Sequence, residues 1–208
     1  MKYALIWGSG VIGRAVMARL ISSGWQVVCV GRRGADLREV NVHVFEADFS
    51  SPAAVQATAL AIGQEFGPFD WYVYAAGDIF VQTVQGLRVE DWQRVLNANL
   101  NGAFYTAQAS LPLLGAGAAM AFVGAQQERM RLPGLAAYAA GKAGLEAFAE
   151  VLRKETRRKV LVVRPGAVRT AFWQKVPFKL PPSAMTAEEL AEKLVMAYEE
   201  GGQGVLDL

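Results

Sequence analysis

Apolar residues follow two patterns that alternate along the chain: short continuous runs, and residues at helical spacing. Short apolar runs of strand length occupy residues 3–7, 26–30, 42–45, 71–74, 118–123, 160–163 and 204–206. Apolar residues recur at helical spacing in residues 11–23, 52–66, 89–96, 101–114, 136–157 and 187–200. Strands that alternate with helices predict a parallel sheet with helices on both faces. We therefore predict one α/β domain over residues 1–208, a doubly wound Rossmann fold with about seven parallel strands.

Residues 169–185 show neither a continuous apolar run nor apolar residues at helical spacing. Three prolines lie there among apolar side chains. A loop of this length is usually functional, so we predict a short lid over a substrate pocket. The apolar residues favour a hydrophobic carbonyl compound as substrate, or else they only pack the loop onto the domain. They are Phe172, Trp173, Val176, Phe178 and Leu180.

Composition narrows what this domain can bind. Of the 208 residues, 53% are hydrophobic and 19% are charged, and the formal net charge is +2. So small a net charge predicts neither a nucleic acid nor a membrane as partner and favours a small molecule. One cysteine, Cys29, excludes an intramolecular disulfide, and one histidine, His43, excludes a zinc cluster and a conventional Ser-His-Asp triad within one chain.

The first apolar run, residues 3–7, is too short for the core of a signal peptide. No apolar stretch reaches the roughly 20 residues that span a bilayer. We therefore expect a cytoplasmic protein that is complete from its first residue.

A glycine-rich turn follows the first predicted strand and opens the first helix. It reads Gly8-Ser9-Gly10-Val11-Ile12-Gly13. In this context the glycines let the backbone approach a pyrophosphate, which binds to the free N–H groups of the helix. The six residues predict a dinucleotide site, and a glycine-rich turn without a ligand is the alternative.

The end of the second strand indicates which dinucleotide binds. A site for NAD has an acid there, about 20 residues beyond the glycines, that accepts hydrogen bonds from the ribose 2′-OH. This chain instead has Arg32 and Arg33, and no acid before Asp36. A guanidinium can bind a 2′-phosphate through paired charge-assisted hydrogen bonds. We therefore predict NADP(H) in preference to NAD(H), with two solvated loop cations as the alternative.

Tyr138 and Lys142 are four residues apart in a helical segment, so their side chains share one face. A free tyrosine, with a pKa of about 10, is a poor acid or base at neutral pH. A neighbouring ammonium favours the phenolate and lowers that pKa. The pair therefore predicts a proton donor and acceptor, and a surface tyrosine and lysine on an amphipathic helix is the alternative.

Six motifs, in order and spacing, resemble those of the short-chain dehydrogenase/reductase family over nearly the whole chain. Besides the glycine turn and the Tyr-Lys pair, they are Asp48, Ala75-Ala76-Gly77, Asn97-Ala98-Asn99-Leu100-Asn101-Gly102, and Pro165-Gly166 with Thr170. The resemblance implies an oxidoreductase that interconverts a carbonyl and an alcohol by hydride transfer. Tyr138 would exchange a proton with the substrate oxygen, Lys142 would bind the nicotinamide ribose, and Asn99 would hold a water in a proton relay through Lys142.

The resemblance also implies which residues hold the cofactor. Asp48 would contact the adenine, and Ala76 and Gly77 would line its ribose side. The nicotinamide carboxamide would be fixed by the backbone of Pro165, Gly166 and Val168 and by the hydroxyl of Thr170. Helix caps and turns are the structural alternatives at these positions.

The chain departs from the family pattern thirteen residues before Tyr138. The family places a serine there, whose hydroxyl polarises the substrate carbonyl, and this chain has Ala125. Loss of one such donor costs roughly a hundredfold to a thousandfold in rate. Either Gln126 or Gln127 supplies the missing donor, or the chain is a cofactor-binding regulatory or interaction protein with a weakened active site. An isomerase or epimerase that returns its hydride is a third possibility.

Two further departures lie near the cofactor motifs. The glycine spacing differs from the family's commonest pattern, GxxxGxG, with Trp7 where a small residue is usual, and this difference would shift the pyrophosphate slightly. Tyr74-Ala75 replaces the Asn-Asn that precedes Ala-Gly, which would remove a side-chain tie between neighbouring loops.

The family also associates through two helices, predicted here at 101–114 and 136–157. Their alanines and glycines would permit close helix approach, so we expect a homodimer or homotetramer. Packing within one chain would explain the same residues.

Overall fold

The computed structural model describes residues 1–32 and 42–208. In these ranges the chain forms a seven-stranded parallel sheet of order β3-β2-β1-β4-β5-β6-β7, which confirms the predicted doubly wound Rossmann fold. The strands are β1 (Tyr3–Trp7), β2 (Gln26–Gly31), β3 (Val42–Glu46), β4 (Phe69–Tyr74), β5 (Leu114–Val123), β6 (Val160–Arg164) and β7 (Gly204–Asp207). The helices are α1 (Val11–Ser22), α2 (Pro52–Glu65), α3 (Val89–Leu96), α4 (Gly102–Ser110), α5 (Gln127–Met130), α6 (Ala136–Thr156) and α7 (Ala187–Glu199).

Successive side chains of each strand point to opposite faces of the sheet, so the apolar runs fill two cores. On one face, Ile6 and Val73 pack with α1 and α7, which supply Leu20 and Leu194. On the other, aromatic and aliphatic side chains pack with α2, α4 and α6. None of the helices in the described parts of the chain is long and apolar enough to cross a membrane.

The strand order reverses at β1, which pairs with β2 on one side and β4 on the other. In such sheets the connections after these strands leave on opposite faces and open a crevice at the carboxyl ends. Ser51 and Thr186 cap the helices α2 and α7 by accepting hydrogen bonds from Ala54 and Glu189 backbone N–H groups. The crevice is thus built on regular elements.

The predicted helix over 101–114 is too long. The structure has a π-helical turn at Asn97–Asn101, then α4, then a 3₁₀ turn at Leu111–Leu113, and β5 already begins at Leu114. Pro112 has no N–H to continue the hydrogen bonding of α4, and it lies instead in the first turn of the 3₁₀ segment. The structure also adds the short helix α5 and a 3₁₀ turn at Ala171–Lys175, which the apolar pattern did not predict.

Candidate active site

A cavity of about 1390 Å³ opens at the carboxyl edge of the sheet. Most of the predicted site residues line it: Gly8, Ser9, Gly10, Val11, Ile12, Arg32, Asp48, Ala76, Gly77, Tyr138, Lys142, Pro165, Gly166, Val168 and Thr170. Gly13 and Asn99 are buried behind its wall. Arg33 lies outside the described residues.

The glycine turn packs backbone against backbone. Gly8 has a φ of +130°, and a Cβ on it would lie 2.6 Å from the backbone nitrogen of Ala76. A Cβ on Gly13 would lie 1.8 Å from the carbonyl oxygen of Gly8. Gly10, the N-cap of α1, makes no side-chain capping bond, so first-turn N–H groups are left for a ligand. This arrangement fits the pyrophosphate of a dinucleotide.

Arg32 and Asp48 mark one end of the cavity. Asp48 accepts hydrogen bonds from the backbone N–H of Ser50 at 2.9 Å and from its hydroxyl at 2.8 Å. These bonds, and more weakly the charge of Arg32, lower the pKa of Asp48. Arg32 itself is exposed and makes no salt bridge to a carboxylate in the described ranges. Its guanidinium can therefore bind a phosphate.

Tyr138 and Lys142 lie one turn apart on α6, with the Lys142 ammonium 5.9 Å from the centre of the Tyr138 ring. Lys142 is 4% exposed and donates to the carbonyl of Val123, at the end of β5, at 2.7 Å. Burial lowers the pKa of Lys142 to about 8 and raises the pKa of Tyr138, because both charged forms lose hydration. In this structure burial therefore outweighs the expected lowering of the Tyr138 pKa by the ammonium.

Asn99 lies in the π-helical turn. Its amide nitrogen donates to the carbonyls of Asp78 at 2.6 Å and Val95 at 2.8 Å, which uses both amide hydrogens. Its side-chain oxygen is buried and has no hydrogen-bond partner among the described residues. The oxygen lies 3.0 Å, and the Lys142 nitrogen 3.7 Å, from the point where a Cβ would stand on Gly77. A water between them would satisfy the oxygen, as a proton relay requires.

The expectation that Tyr74 removes a tie between loops is wrong. Its hydroxyl donates to the carbonyl of Ala98 at 2.8 Å and so ties the end of β4 to the turn that carries Asn99. Trp7, which stands where a small residue was expected, donates its ring N–H to the Ser110 hydroxyl at 3.0 Å. Both large side chains are buried and make specific bonds to the segment around α4.

Ala125 lines the cavity, but its two neighbours have other hydrogen-bond partners. The side-chain nitrogen of Gln126 donates to the carbonyl of Leu208 at 3.1 Å. The side-chain nitrogen of Gln127 donates to Glu146 at 3.0 Å, and its oxygen accepts from Arg131. None of these three hydrogen bonds involves Tyr138 or Lys142, so these contacts do not favour either glutamine as the missing donor.

Several polar groups in the loop after β6, which were predicted to bind the nicotinamide carboxamide, already form hydrogen bonds within the chain. The N–H of Gly166 donates to the carbonyl of Leu208 at 3.0 Å, and the carbonyl of Val168 accepts from the Trp173 ring N–H at 2.8 Å. The Thr170 hydroxyl accepts from the N–H of Phe172 at 3.4 Å, so the structural alternative of a cap is present at Thr170.

Sequence reasoning missed two contacts of residues 169–185, the predicted lid. Phe172 packs edge-on against Tyr138, with ring centres 6.1 Å apart. Lys175 donates to Asp78 at 2.6 Å. Asp78 directly follows Ala75-Ala76-Gly77, and a carboxylate beside a cofactor motif is the one sequence signal that could have singled it out.

Comparison with known proteins places this geometry in context. A family profile described as short chain dehydrogenase matches residues 2–179. An uncharacterized oxidoreductase of Staphylococcus epidermidis is 27% identical over 211 residues, which cover 96% of this chain and 91% of that protein. Sulfoacetaldehyde reductase 2 of Chromohalobacter salexigens is 30% identical over 175 residues, which cover 77% of this chain and 69% of that protein.

Solved structures share the fold over the full length. A short-chain dehydrogenase/reductase from Serratia marcescens superposes with a TM-score of 0.87 at 24% identity, covering 100% of this chain and 96% of that one. An alcohol dehydrogenase from the archaeon Thermococcus sibiricus, in complex with 5-hydroxy-NADP, gives 0.89 at 23% identity with the same coverage.

Proposed function

This chain belongs to the short-chain dehydrogenase family, whose relatives include oxidoreductases, and from that membership we propose that it interconverts a carbonyl and an alcohol using NADP(H). The observation that carries the proposal is the convergence of Tyr138, Lys142 and the glycine turn on one cavity. When bound, NADPH supplies a hydride from its nicotinamide ring. The glycine turn would hold its pyrophosphate.

The preference for NADP(H) over NAD(H) rests on Arg32. It follows β2 directly, where an acid would bind the 2′-OH of NAD, and it is exposed with no salt bridge to a carboxylate among the described residues. A 2′-phosphate would meet a positive charge there and no competing acid on the same strand end. The Thermococcus sibiricus enzyme that shares this fold was solved with an NADP derivative.

Tyr138 is the proposed proton donor to the substrate oxygen during reduction. Burial raises its pKa, so it carries its proton at neutral pH and is in the form that reduction needs. Lys142 and Asn99 stand behind it, and their polar atoms converge beside Gly77. A water there would return a proton to Tyr138 through Lys142 after each turnover.

The substrate we propose is a small carbonyl compound with an apolar body. Apolar residues that line the cavity include Met130, Leu135 and, from residues 169–185, Phe172, Trp173 and Phe178. Phe172 contacts the ring of Tyr138. These side chains favour a substrate with an apolar body, because binding removes apolar surface of both the substrate and the cavity from water. We place the protein in the cytoplasm, and expect it to act as a homodimer or homotetramer without nucleic acid or membrane as partner.

The test is NADPH consumption against a panel of hydrophobic aldehydes and ketones, with an anionic aldehyde such as sulfoacetaldehyde included because one relative is named for it. Wild type should reduce at least one panel member, and Tyr138→Phe should lower that rate at least about a hundredfold. Equal rates for the two proteins would remove Tyr138 from the mechanism.

A second candidate function is a cofactor-binding regulatory or interaction protein. Ala125 favours it, since Gln126 and Gln127 have other hydrogen-bond partners. A protein of this kind would bind NADPH tightly and reduce no member of the panel.

A further inference from the structure

Asp78 lies where the loop after β4 meets α3 and the lid. Its side chain is 15% exposed and pairs with Lys175 of the lid at 2.6 Å and with Arg94 of α3. Lys175 and Arg94 are themselves 52% and 45% exposed. The carboxylate therefore joins two cations that belong to different elements, and Arg94 also pairs with Asp91 of α3 at 3.3 Å.

The backbone of Asp78 makes a second contact with the site. Its carbonyl accepts one amide hydrogen of Asn99 at 2.6 Å, and the other goes to the carbonyl of Val95. These two acceptors determine that the Asn99 oxygen points to the space beside Gly77, near which the Lys142 nitrogen also lies, because reversing the amide would bring an oxygen against two carbonyls. Arg94 directly precedes Val95. The carboxylate and the carbonyl of Asp78 therefore both bind side chains of the short stretch from Arg94 to Asn99.

The ion pair with Lys175 connects Asp78 to the predicted lid, residues 169–185. Lys175 is the last residue of the 3₁₀ turn Ala171–Lys175, whose Phe172 packs against Tyr138. Asp78 and Lys175 both line the cavity, although 97 residues separate them in the sequence. Their ion pair therefore joins two walls of the site and ties the turn that carries Phe172 to the loop after β4.

We propose that Asp78 is a positioning residue that couples closure of the lid to the orientation of Asn99. The inference rests on the proposed function, since the orientation of Asn99 matters only in a proton relay. Lys175 forms the lid arm, which breaks when substrate enters or product leaves. Arg94 forms the fixed arm, which keeps the Asp78 peptide on Asn99 while the lid is open.

The lid arm is tested with Lys175→Met and Lys175→Arg, assayed at saturating NADPH so that cofactor affinity does not enter the result. Lys175→Met should raise KM about two- to fivefold, as expected for a partly exposed ion pair, and Lys175→Arg should stay near wild type. High salt should raise the wild-type KM and leave that of Lys175→Met unchanged. Lys154→Met, which breaks the exposed pair with Glu150, is the matched control and should behave as wild type.

The coupling is tested with Asp78→Ala and Asp78→Asn. Asp78→Ala loses both arms, so kcat should fall and the basic limb of its pH profile should shift, while Lys175→Met should keep the wild-type profile. Asp78→Asn retains an acceptor for Arg94, so its kcat should lie between that of Asp78→Ala and that of Lys175→Met. A wild-type kcat and pH profile in Asp78→Ala would overturn the coupling, as would equal effects of Lys175→Met and Lys175→Arg.

A readout that needs no substrate separates this proposal from the proposed function. Hydrogen exchange of peptides covering residues 169–185 should be faster in Lys175→Met than in wild type or Lys154→Met. Unchanged exchange would refute the ion pair as the closure of the lid, whatever the activity. A wild-type protein that reduces no carbonyl compound would instead refute the proposed function.

Discussion

The hydroxyl of Tyr74 donates to the carbonyl of Ala98 at 2.8 Å, one residue before Asn99. The bond is partly buried and ties the end of β4 to the π-helical turn. It gives the turn a fixed position relative to Gly77, beside which the Asn99 oxygen lies. A tyrosine at this position thus does the work of a polar side chain that the sequence alone suggested was missing.

Tyr74→Phe should lower the free energy of unfolding by about 1 kcal/mol, because a partly buried hydrogen bond is lost. It should also lower kcat, since the turn that carries Asn99 is less well fixed. Urea unfolding and steady-state kinetics measure the two effects. Tyr72→Phe is the matched control: its hydroxyl bonds to Thr106 at 2.8 Å, so it should lose stability with kcat unchanged. If both variants lose kcat equally, the loss follows stability and not the position of Asn99.

Lys142 should make stability depend on pH. Its folded pKa, about 8, lies below its value of 10.5 in an unfolded chain. The unfolded state therefore binds more protons between these values, and the contribution of Lys142 to stability rises with pH through this window. At pH 7 the buried charge costs on the order of 3 kcal/mol.

Lys142→Met should therefore be more stable relative to wild type at pH 7 than at pH 9.5, as measured by urea unfolding at both values. The other titrating groups are common to both proteins and cancel in this difference. Lys154→Met, in which an exposed lysine is replaced, should show no such change. A difference that is constant with pH would mean that the ammonium is not desolvated in the folded protein.

Arg32→Asp should reverse the cofactor preference. An acid at the end of β2 repels a 2′-phosphate and accepts hydrogen bonds from a 2′-OH. We expect the ratio of the NADPH and NADH dissociation constants to change at least about tenfold, which corresponds to about 1.4 kcal/mol. Fluorescence titration at one ionic strength measures both constants. Arg19→Asp, at the far end of α1, should retain the wild-type ratio, and tighter binding of NADH by wild type would contradict the role of Arg32.

Ala125→Ser should raise kcat by at least about tenfold with the affinity for NADPH unchanged, because it adds a donor beside the developing oxyanion. Ala171→Ser adds a hydroxyl to the lid part of the same cavity and should have no such effect. Stopped-flow reduction rates and NADPH titration distinguish the outcomes. No gain in Ala125→Ser would mean that another group already donates. A very large gain from a nearly inactive wild type would favour the regulatory function.

Phe104→Glu should weaken self-association. Phe104 is 42% exposed on α4 and packs against Phe148 of α6, so an apolar aromatic surface faces outward where we expect a second copy to bind. Light scattering after gel filtration should give a dimer or tetramer for wild type and a smaller species for the variant. Leu60→Glu, at an exposed leucine on α2, is the control. A monomeric wild type would refute the expected oligomer.

The sequence alone determined the fold class and the local motifs. Continuous apolar runs predicted the strands, because a strand in a sheet that is covered on both faces buries nearly every side chain. Apolar residues at a spacing of 3.6 predicted the helices, because each helix buries one face. The glycine turn and the Tyr138–Lys142 pair could also be found in the sequence, because each is defined by residues only a few positions apart. Arg33 lies outside the described residues, so its predicted role stays a prediction.

Only the tertiary structure decided which distant groups meet. Asp78 and Lys175, Tyr74 and Ala98, and Gln126 and Leu208 are brought together by strand order and by the path of the lid. The raised pKa of Tyr138 likewise depends on what covers it, since burial acts on the charged form and no local pattern reports burial by a loop. Contacts between segments far apart in sequence follow from how the whole chain packs, and local spacing carries no record of them.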